Sequence, residues 1–359
     1  MRAKTIEDIY KMAEEKGIPY FAYFEPTFNC NLKCLHCFTN YQHPGKELSF
    51  EEITGLLRQL AKAGTLFITF SGGEPFMRKD FIGILEVARK LDFAITIITN
   101  ATLVTDELAE KISHLYPRLI KITLYGGTEK MFRKTTGKPG LFHRAINGIR
   151  LLAKHKLPVL VSSPIFNFYT VKDVLAIKKI CSELGVAFKT FTNFQIRHNG
   201  DPAPLKYNLS ESQFKTFARR FPGLSLYVNN GGKVRNNEKV CEGTFLIHIN
   251  PYGQVGFCDW MVSKSSIREK SPLEIWENDV FLKKVRKITW KNMSNCLMCK
   301  SSNYCQPCLG VNLLSTGCLT KAPLFYCKNF HILRRVSENL CSKFEKSTSA
   351  VMDYAKTLV

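Results

Sequence analysis

Sulfur dominates the residues of this chain that could do chemistry. Cys30, Cys34 and Cys37 form a C-x3-C-x2-C run in which three thiols crowd one loop. Three thiolates complete neither a tetrahedral zinc site nor a four-iron cubane, so one metal position is left open for a ligand or substrate. A zinc knuckle that borrows His36 or His43 is the alternative that spacing alone leaves standing. Eight more cysteines lie downstream: Cys241, Cys258, Cys296, Cys299, Cys305, Cys308, Cys318 and Cys327. Eight thiols are enough for two four-thiolate sites, built on iron and sulfide or on zinc. The other two of the 13 cysteines differ, Cys181 sitting in the apolar stripe of a helical pattern as a core thiol and Cys341 lacking any partner spacing.

The loop with the first three thiols follows a predicted strand, and the elements around it form a regular series. From Tyr20 to about Phe194, short β-branched and aromatic runs alternate with amphipathic stretches, the pattern of strand–helix units with parallel strands. The predicted strands are Tyr20–Glu25, Thr65–Phe70, Ala94–Thr99, Leu119–Tyr125, Pro158–Ser162 and Phe188–Thr192. Between them, SFEEITGLLRQLAKAG starts with Ser49 as N-cap and Glu52 as its capping-box partner and stops at Gly64. Thr170 and Asp173 open the helix that ends at Gly185 in the same way. Six such units predict an α/β fold, a partial or closed (β/α)6 TIM-like barrel over residues 20–195, with its chemistry at the C-terminal strand ends. Residues 1–19 read as an N-terminal helix and 196–238 as a linker with a short helix from Ser210 to Phe221. Residues 239–341 form a small Cys-rich domain with one hairpin, FLIHINPYGQVGFC, one helix, PLEIWENDVFLKKVRKI, and otherwise loops; 342–359 is a tail.

Composition narrows the compartment and the partners. The 359 residues are 45% hydrophobic and 23% charged, an ordinary globular balance that excludes collagen, coiled coil and disordered-tail classes. No stretch approaches the roughly 18 apolar residues of a membrane span. The opening MRAKTIEDIYKMAEEK has no apolar centre of the signal-peptide kind, so a cytoplasmic chain with reduced thiols and no membrane partner is expected. The net charge is +21, from 51 Lys and Arg against 30 Asp and Glu. Those cations are spread along the chain, so nucleic acid is not the expected partner, and thiolate-bound iron clusters would cancel part of the charge.

The motifs together resemble the radical S-adenosylmethionine (radical SAM) superfamily. CNLKCLHC is similar to its cysteine signature, SGGEP at Ser71–Pro75 to its GGEP motif, and ITN at Ile98–Asn100 and ITLYGG at Ile122–Gly127 to its third and fourth strand ends. The resemblance implies a [4Fe-4S] cluster on Cys30, Cys34 and Cys37 whose fourth iron is chelated by S-adenosylmethionine, and reductive cleavage of that cofactor to a 5′-deoxyadenosyl radical. Gly72 and Gly73 would let backbone approach its methionyl end, with Glu74 pairing with its ammonium group. His36 would lie against the adenine, and Asn100 and Thr123 would reach the methionyl carboxylate and ribose.

The downstream cysteines resemble the SPASM extension, the auxiliary iron–sulfur domain of radical SAM enzymes that mature peptides and proteins. Cys241, Gly253 and Cys258 fit its first half; Cys305 to Cys308 is one residue short of its usual spacing, and Cys318 is extra. By matching positions, Cys296, Cys299, Cys305 and Cys327 would hold an outer cluster and Cys241, Cys258 and Cys308 an inner one. Cys318 is the expected fourth inner ligand, an open inner cluster being the alternative. In sulfatase-maturing relatives an aspartate directly after the hairpin cysteine is proposed to take the substrate's proton, which points to Asp259 here, though a salt-bridged structural aspartate is the plainer reading.

These resemblances imply an oxidoreductase that modifies a ribosomally made peptide or protein through a thioether, a carbon–carbon crosslink or a related oxidation. The expected partners are a low-potential electron donor such as a flavodoxin or ferredoxin and, because only about 20 residues precede the first strand, a separate leader-recognition protein. The alternative is a small acidic substrate such as a tetrapyrrole side chain, and a third reading is a zinc-stapled nucleic-acid binder.

Overall fold

Six short strands form first: β1 (Phe21–Phe24), β2 (Phe67–Phe70), β3 (Ala94–Thr99), β4 (Leu119–Thr123), β5 (Val159–Pro164) and β6 (Ala187–Phe191). The computed structural model describes residues 12, 15–39, 45–221, 224, 238–241 and 245–344. Most of the N-terminal helix read at 1–19, the linker from 225 to 237, His43 and the tail from 345 lie outside the described residues.

The six strands lie side by side in chain order, all parallel, which requires a crossover between each pair. Helices supply the crossovers, and their starts are set locally. Glu52 N donates to Ser49 Oγ at 3.2 Å while Ser49 N donates to Glu52 Oε2 at 2.7 Å, the reciprocal box that opens the helix Phe50–Lys62. Thr170 with Asp173 and Ser210 with Gln213 do the same for Val171–Glu183 and Glu211–Arg220.

Side-chain alternation gives the sheet two unlike faces. Ala22, Phe24, Ile68, Phe70, Ile95, Ile97, Ile120 and Ile122 are at most 2% exposed and pack against the helices. Of the opposite parity, Tyr23, Thr69, Ile98, Lys121 and Thr123 are only partly buried and face an inner cavity, the lumen of a partial barrel.

Three features depart from the expectations. The predicted hairpin forms as β7 (Leu246–Ile249) and β8 (Gln254–Cys258), but β7 also pairs in parallel with β1, Tyr23 opposite His248. A further strand, β9 (Met261–Ser266), completes a nine-stranded sheet in the order β6-β5-β4-β3-β2-β1-β7-β8-β9, which runs straight through the boundary read at 239. The edge of β1 would otherwise leave a row of unpaired backbone groups beside the active centre. Second, the stretch read as one helix breaks into Pro272–Asn278 and Val280–Arg286. Asp279 turns extended between them (φ −60°, ψ 128°), its carboxylate accepting from Leu282 N at 2.9 Å and from the Ser263 hydroxyl at 2.6 Å, so a capping side chain outcompetes helix continuation. Third, the chain ends its described part in a 21-residue helix, Leu324–Phe344, that carries Cys327 where loops were expected.

Candidate active site

β1 delivers the chain into the loop that holds Cys30, Cys34 and Cys37. The loop is pinned by backbone bonds from Lys33 N to Thr136 O (2.8 Å), Leu35 N to Thr135 O (2.9 Å) and Cys37 N to Cys34 O (3.1 Å). Burial pushes the Cys30 thiol up to about 11, with Cys37 adding to it. Cys34 is raised well above the ordinary thiol range by burial and by its Cys37 and Cys30 neighbours. Three converging thiols in one half-buried loop are a set that a cationic metal centre would stabilise as thiolates.

The SGGEP segment lies directly against this loop. A Cβ on Gly72 would sit 2.3 Å from Thr27 O, and one on Gly73 2.2 Å from Asn29 O, so the first close approach these glycines permit is to the backbone leading into the cysteines. Gly73 N donates to Thr27 O and Glu74 N to Asn29 O, both at 2.8 Å. Glu74 is 1% exposed and accepts from the Thr99 hydroxyl and from Asn100 N, each at 2.7 Å. It has no ion-pair partner among the described residues, and burial pushes its carboxyl up to about 7. A buried carboxylate with donors but no cation is fitted to the ammonium group of a ligand.

Asn100 donates its Nδ2 to Asn31 Oδ1 at 2.9 Å, tying the end of β3 to the cysteine loop. Thr123 closes β4 on the lumen wall, in register with Ser162 of β5. His36 sits among aromatic rings, with centroid separations of 5.1 Å to Phe194, 5.5 Å to Phe166, 5.6 Å to Tyr125 and 6.2 Å to Phe191. Burial lowers its pKa to about 4, and its Nδ1 is buried without a hydrogen-bond partner. An orphaned ring nitrogen in an aromatic wall, an unpaired buried glutamate and three gathered thiols fit S-adenosylmethionine beside an iron–sulfur cluster.

The downstream thiols divide into two groups. Burial raises Cys258 well above the ordinary range, and Cys308 and Cys241 add to the effect, so these three are neighbours. Cys305 is raised by burial and then by Cys296, Cys327 and Cys299, which makes a second group of four. Cys318 joins neither. It is exposed on the turn after the helix Leu309–Thr316, where its backbone N–H is held by the Thr316 hydroxyl at 3.3 Å and its Sγ lies 3.5 Å from Thr320 Oγ1. The expectation that it completes the inner group is therefore corrected: that turn directs the thiol outward.

Asp259 is buried and ion-paired, the arrangement of the plainer reading. Its Oδ1 lies 2.8 Å from His248 Nε2, which in turn lies 3.1 Å from Glu25 Oε2, and His198 Nε2 is 3.8 Å from Asp259 Oδ2. Burial would lower His248, yet the two carboxylates raise it to about 10. Burial would likewise raise Asp259, but the His248 and His198 rings hold it below the carboxylate range. Glu25 takes the opposite course, pushed well up by burial and by Asp259. Glu25 and His248 were not singled out from the sequence. The signal was a lone histidine at an alternating position of the apolar run LIHI, and its glutamate lies 223 residues away.

A parallel partial barrel with a three-thiol loop after its first strand and GGEP after its second defines a radical SAM enzyme, here with a cysteine-rich extension of the SPASM type. The chain carries a radical SAM domain: the family model "Radical SAM superfamily" matches residues 24–181. It is similar to an AdoMet-dependent heme synthase of Methanosarcina barkeri, 24% identical over 328 residues that cover 83% of this chain and 93% of that protein. It is also similar to a PqqA peptide cyclase of Bradyrhizobium diazoefficiens, 25% identical over 310 residues, 81% of this chain and 80% of that one. The crystal structure of Streptococcus suis SuiB bound to S-adenosylmethionine shares the fold, with a TM-score of 0.70 at 17% identity over 89% of this chain and 80% of that one. Among the described residues, no helix is long and apolar enough to cross a membrane.

Proposed function

We propose that this chain uses S-adenosylmethionine to oxidise a ribosomally made peptide or protein, forming a thioether, a carbon–carbon crosslink or a related product. Bound together, the cofactor and a [4Fe-4S] cluster supply hydrogen-atom abstraction from an unactivated C–H bond. Cys30, Cys34 and Cys37 hold that cluster; Glu74 takes the cofactor's ammonium group, His36 lines its adenine, and Gly72, Gly73, Asn100 and Thr123 shape its methionyl and ribose ends. Cys296, Cys299, Cys305 and Cys327 hold an outer auxiliary cluster, and Cys241, Cys258 and Cys308 an inner one.

The observation that carries this reading is the adjacency of Asp259 to Cys258. A substrate carbon that has lost a hydrogen atom must still lose a proton and an electron to become oxidised. Asp259, kept ionised by His248, would accept the proton, and an iron–sulfur cluster held by Cys241, Cys258 and Cys308 would supply an electron acceptor beside it. The similarity to a peptide cyclase favours a peptide substrate. The heme synthase similarity, over nearly all of that protein, supports a second reading in which a small acidic molecule is oxidised. A low-potential flavodoxin or ferredoxin in a reducing cytoplasm is the matching electron donor, and a separate leader-recognition protein fits a peptide substrate.

The test is anaerobic reconstitution with iron, sulfide and a low-potential reductant. Wild type should cleave S-adenosylmethionine to 5′-deoxyadenosine and methionine, and Cys37→Ala should not. Asp259→Asn should keep its iron and its 5′-deoxyadenosine yield with substrate present, yet give little modified product. Wild-type rates of product from that variant would place the base elsewhere.

A further inference from the structure

The two walls of the lumen are not electrostatically alike. On the β1–β7–β8 side, Glu25, His248 and Asp259 are ion-paired with one another. Across the lumen stand Lys121 on β4 and Lys189 on β6. Thr123 is in register with Ser162 and Ser162 with Lys189, so these residues, with Lys121 two positions before Thr123, share the inner face.

Both lysines are half-buried, and neither ammonium has a hydrogen bond or an ion pair among the described residues. The contrast is with surface lysines such as Lys111, Lys154 and Lys215, each of which has a carboxylate within 3.0 Å. Burial lowers the pKa of both lumen lysines, and on Lys121 the charges of Lys189 and Arg118 add to it. Like charges gathered in a partly desolvated cavity without an anion are unfavourable, and an anionic group between them would gain a charge-assisted bond to each.

We propose that Lys121 and Lys189 form an anion-binding wall in the lumen and that the substrate carries a carboxylate which they hold. The Ser162 hydroxyl on the same wall supplies a further donor. The methionyl carboxylate of S-adenosylmethionine offers the same chemistry. The substrate is favoured because Lys121 lies one lumen layer deeper than Thr123, a strand-end residue fitted to the cofactor, with Lys189 in the Thr123 layer above it. A carboxylate seated there faces Asp259 and His248 across the lumen, which would present the intervening C–H bonds between the two walls. The inference rests on the radical SAM reading above and names the substrate class of that site: an acidic side chain of a peptide, or a propionate-like arm of a small molecule.

The full chain, anaerobically reconstituted and saturated with S-adenosylmethionine, is labelled briefly with acetic anhydride in the presence of glutarate, and each lysine is read by mass spectrometry. Glutarate should protect Lys121 and Lys189 saturably, by about tenfold, the scale of one charge-assisted bond. Exposed Lys130 and Lys172 should label as before, and uncharged glutaramide should protect neither lumen lysine. No protection by glutarate, or equal protection by glutaramide, would overturn the proposal. In the second arm, the Lys121→Gln/Lys189→Gln double variant should bind S-adenosylmethionine within about twofold of wild type, because no charge-assisted bond to the cofactor is removed. A loss of about tenfold or more would assign the anion to the methionyl carboxylate and overturn the substrate assignment. Cofactor cleavage by wild type is scored separately, so that failure of the radical SAM reading is told apart from failure of the anion wall.

Discussion

Glu74 is where stability and function should move in opposite directions. In the unfolded chain its carboxyl ionises near 4.5, and in the folded chain near about 7, because burial dominates and no cation compensates. Between those values the folded state keeps a proton that the unfolded state has released. Stability therefore falls as pH rises through that window, and the full penalty is present above about 7. A shift of this size corresponds to about 3 kcal/mol at most. Glu74→Gln removes the charge but leaves one acceptor for three donors, Asn100 N, the Thr99 hydroxyl and the longer Phe76 N contact, at a cost of about 1 kcal/mol. The variant should be more stable than wild type by about 1–2 kcal/mol at pH 8 and slightly less stable at pH 5, by denaturant titration of the reconstituted protein without S-adenosylmethionine. The same change removes the partner assigned to the cofactor's ammonium, so equilibrium dialysis should show affinity weakened about 10- to 100-fold. A variant destabilised equally at both pH values would refute the unpaired-carboxylate argument, and undiminished cofactor binding would refute the ligand assignment.

Two further outcomes follow from the second half of the chain. Cys318→Ser should leave iron content unchanged, whereas Cys308→Ser should lose about four irons, the content of one cubane cluster, by colorimetric analysis of the reconstituted protein. Trp276 is 1% exposed, donates its indole N–H to Gly17 O at 2.9 Å and carries the Arg286 guanidinium 4.2 Å from its ring. Trp276→Ala should therefore cost about 3–5 kcal/mol in denaturant titration while leaving the cysteine groups able to take up iron.

Local signals survived translation into structure, and long-range ones did not. Ser49 with Glu52 and Thr170 with Asp173 fix helix starts within four residues, and both capping boxes are present. All six barrel strands were legible because alternation and β-branched content are properties of a short window. The grouping of Cys296, Cys299, Cys305 and Cys327 came from the resemblance to the SPASM pattern, whereas Cys318 was assigned by elimination, which does not say which way a turn presents a thiol. Pairing of β1 with β7 joins residues more than two hundred positions apart, and nothing in YFAYF or LIHI names the other. The same distance hid Glu25 and His248. Lys121 and Lys189 were not singled out from the sequence, and strand register sets both on the lumen face.

The splice of β7 onto β1 makes the auxiliary half a structural member of the catalytic half. In a chain cut before Leu246, β1 would become a bare sheet edge, and Glu25 would lose the imidazole that meets it in the interior. The two halves are thus not modules that recombination could trade freely, and a new partner for the barrel must bring its own strand of matching register. Because β7 runs on through the hairpin into β8, the distance from the cysteine loop after β1 to Cys258 is set by backbone pairing instead of by a linker. The spacing between these two thiol-bearing segments is therefore inherited with the sheet.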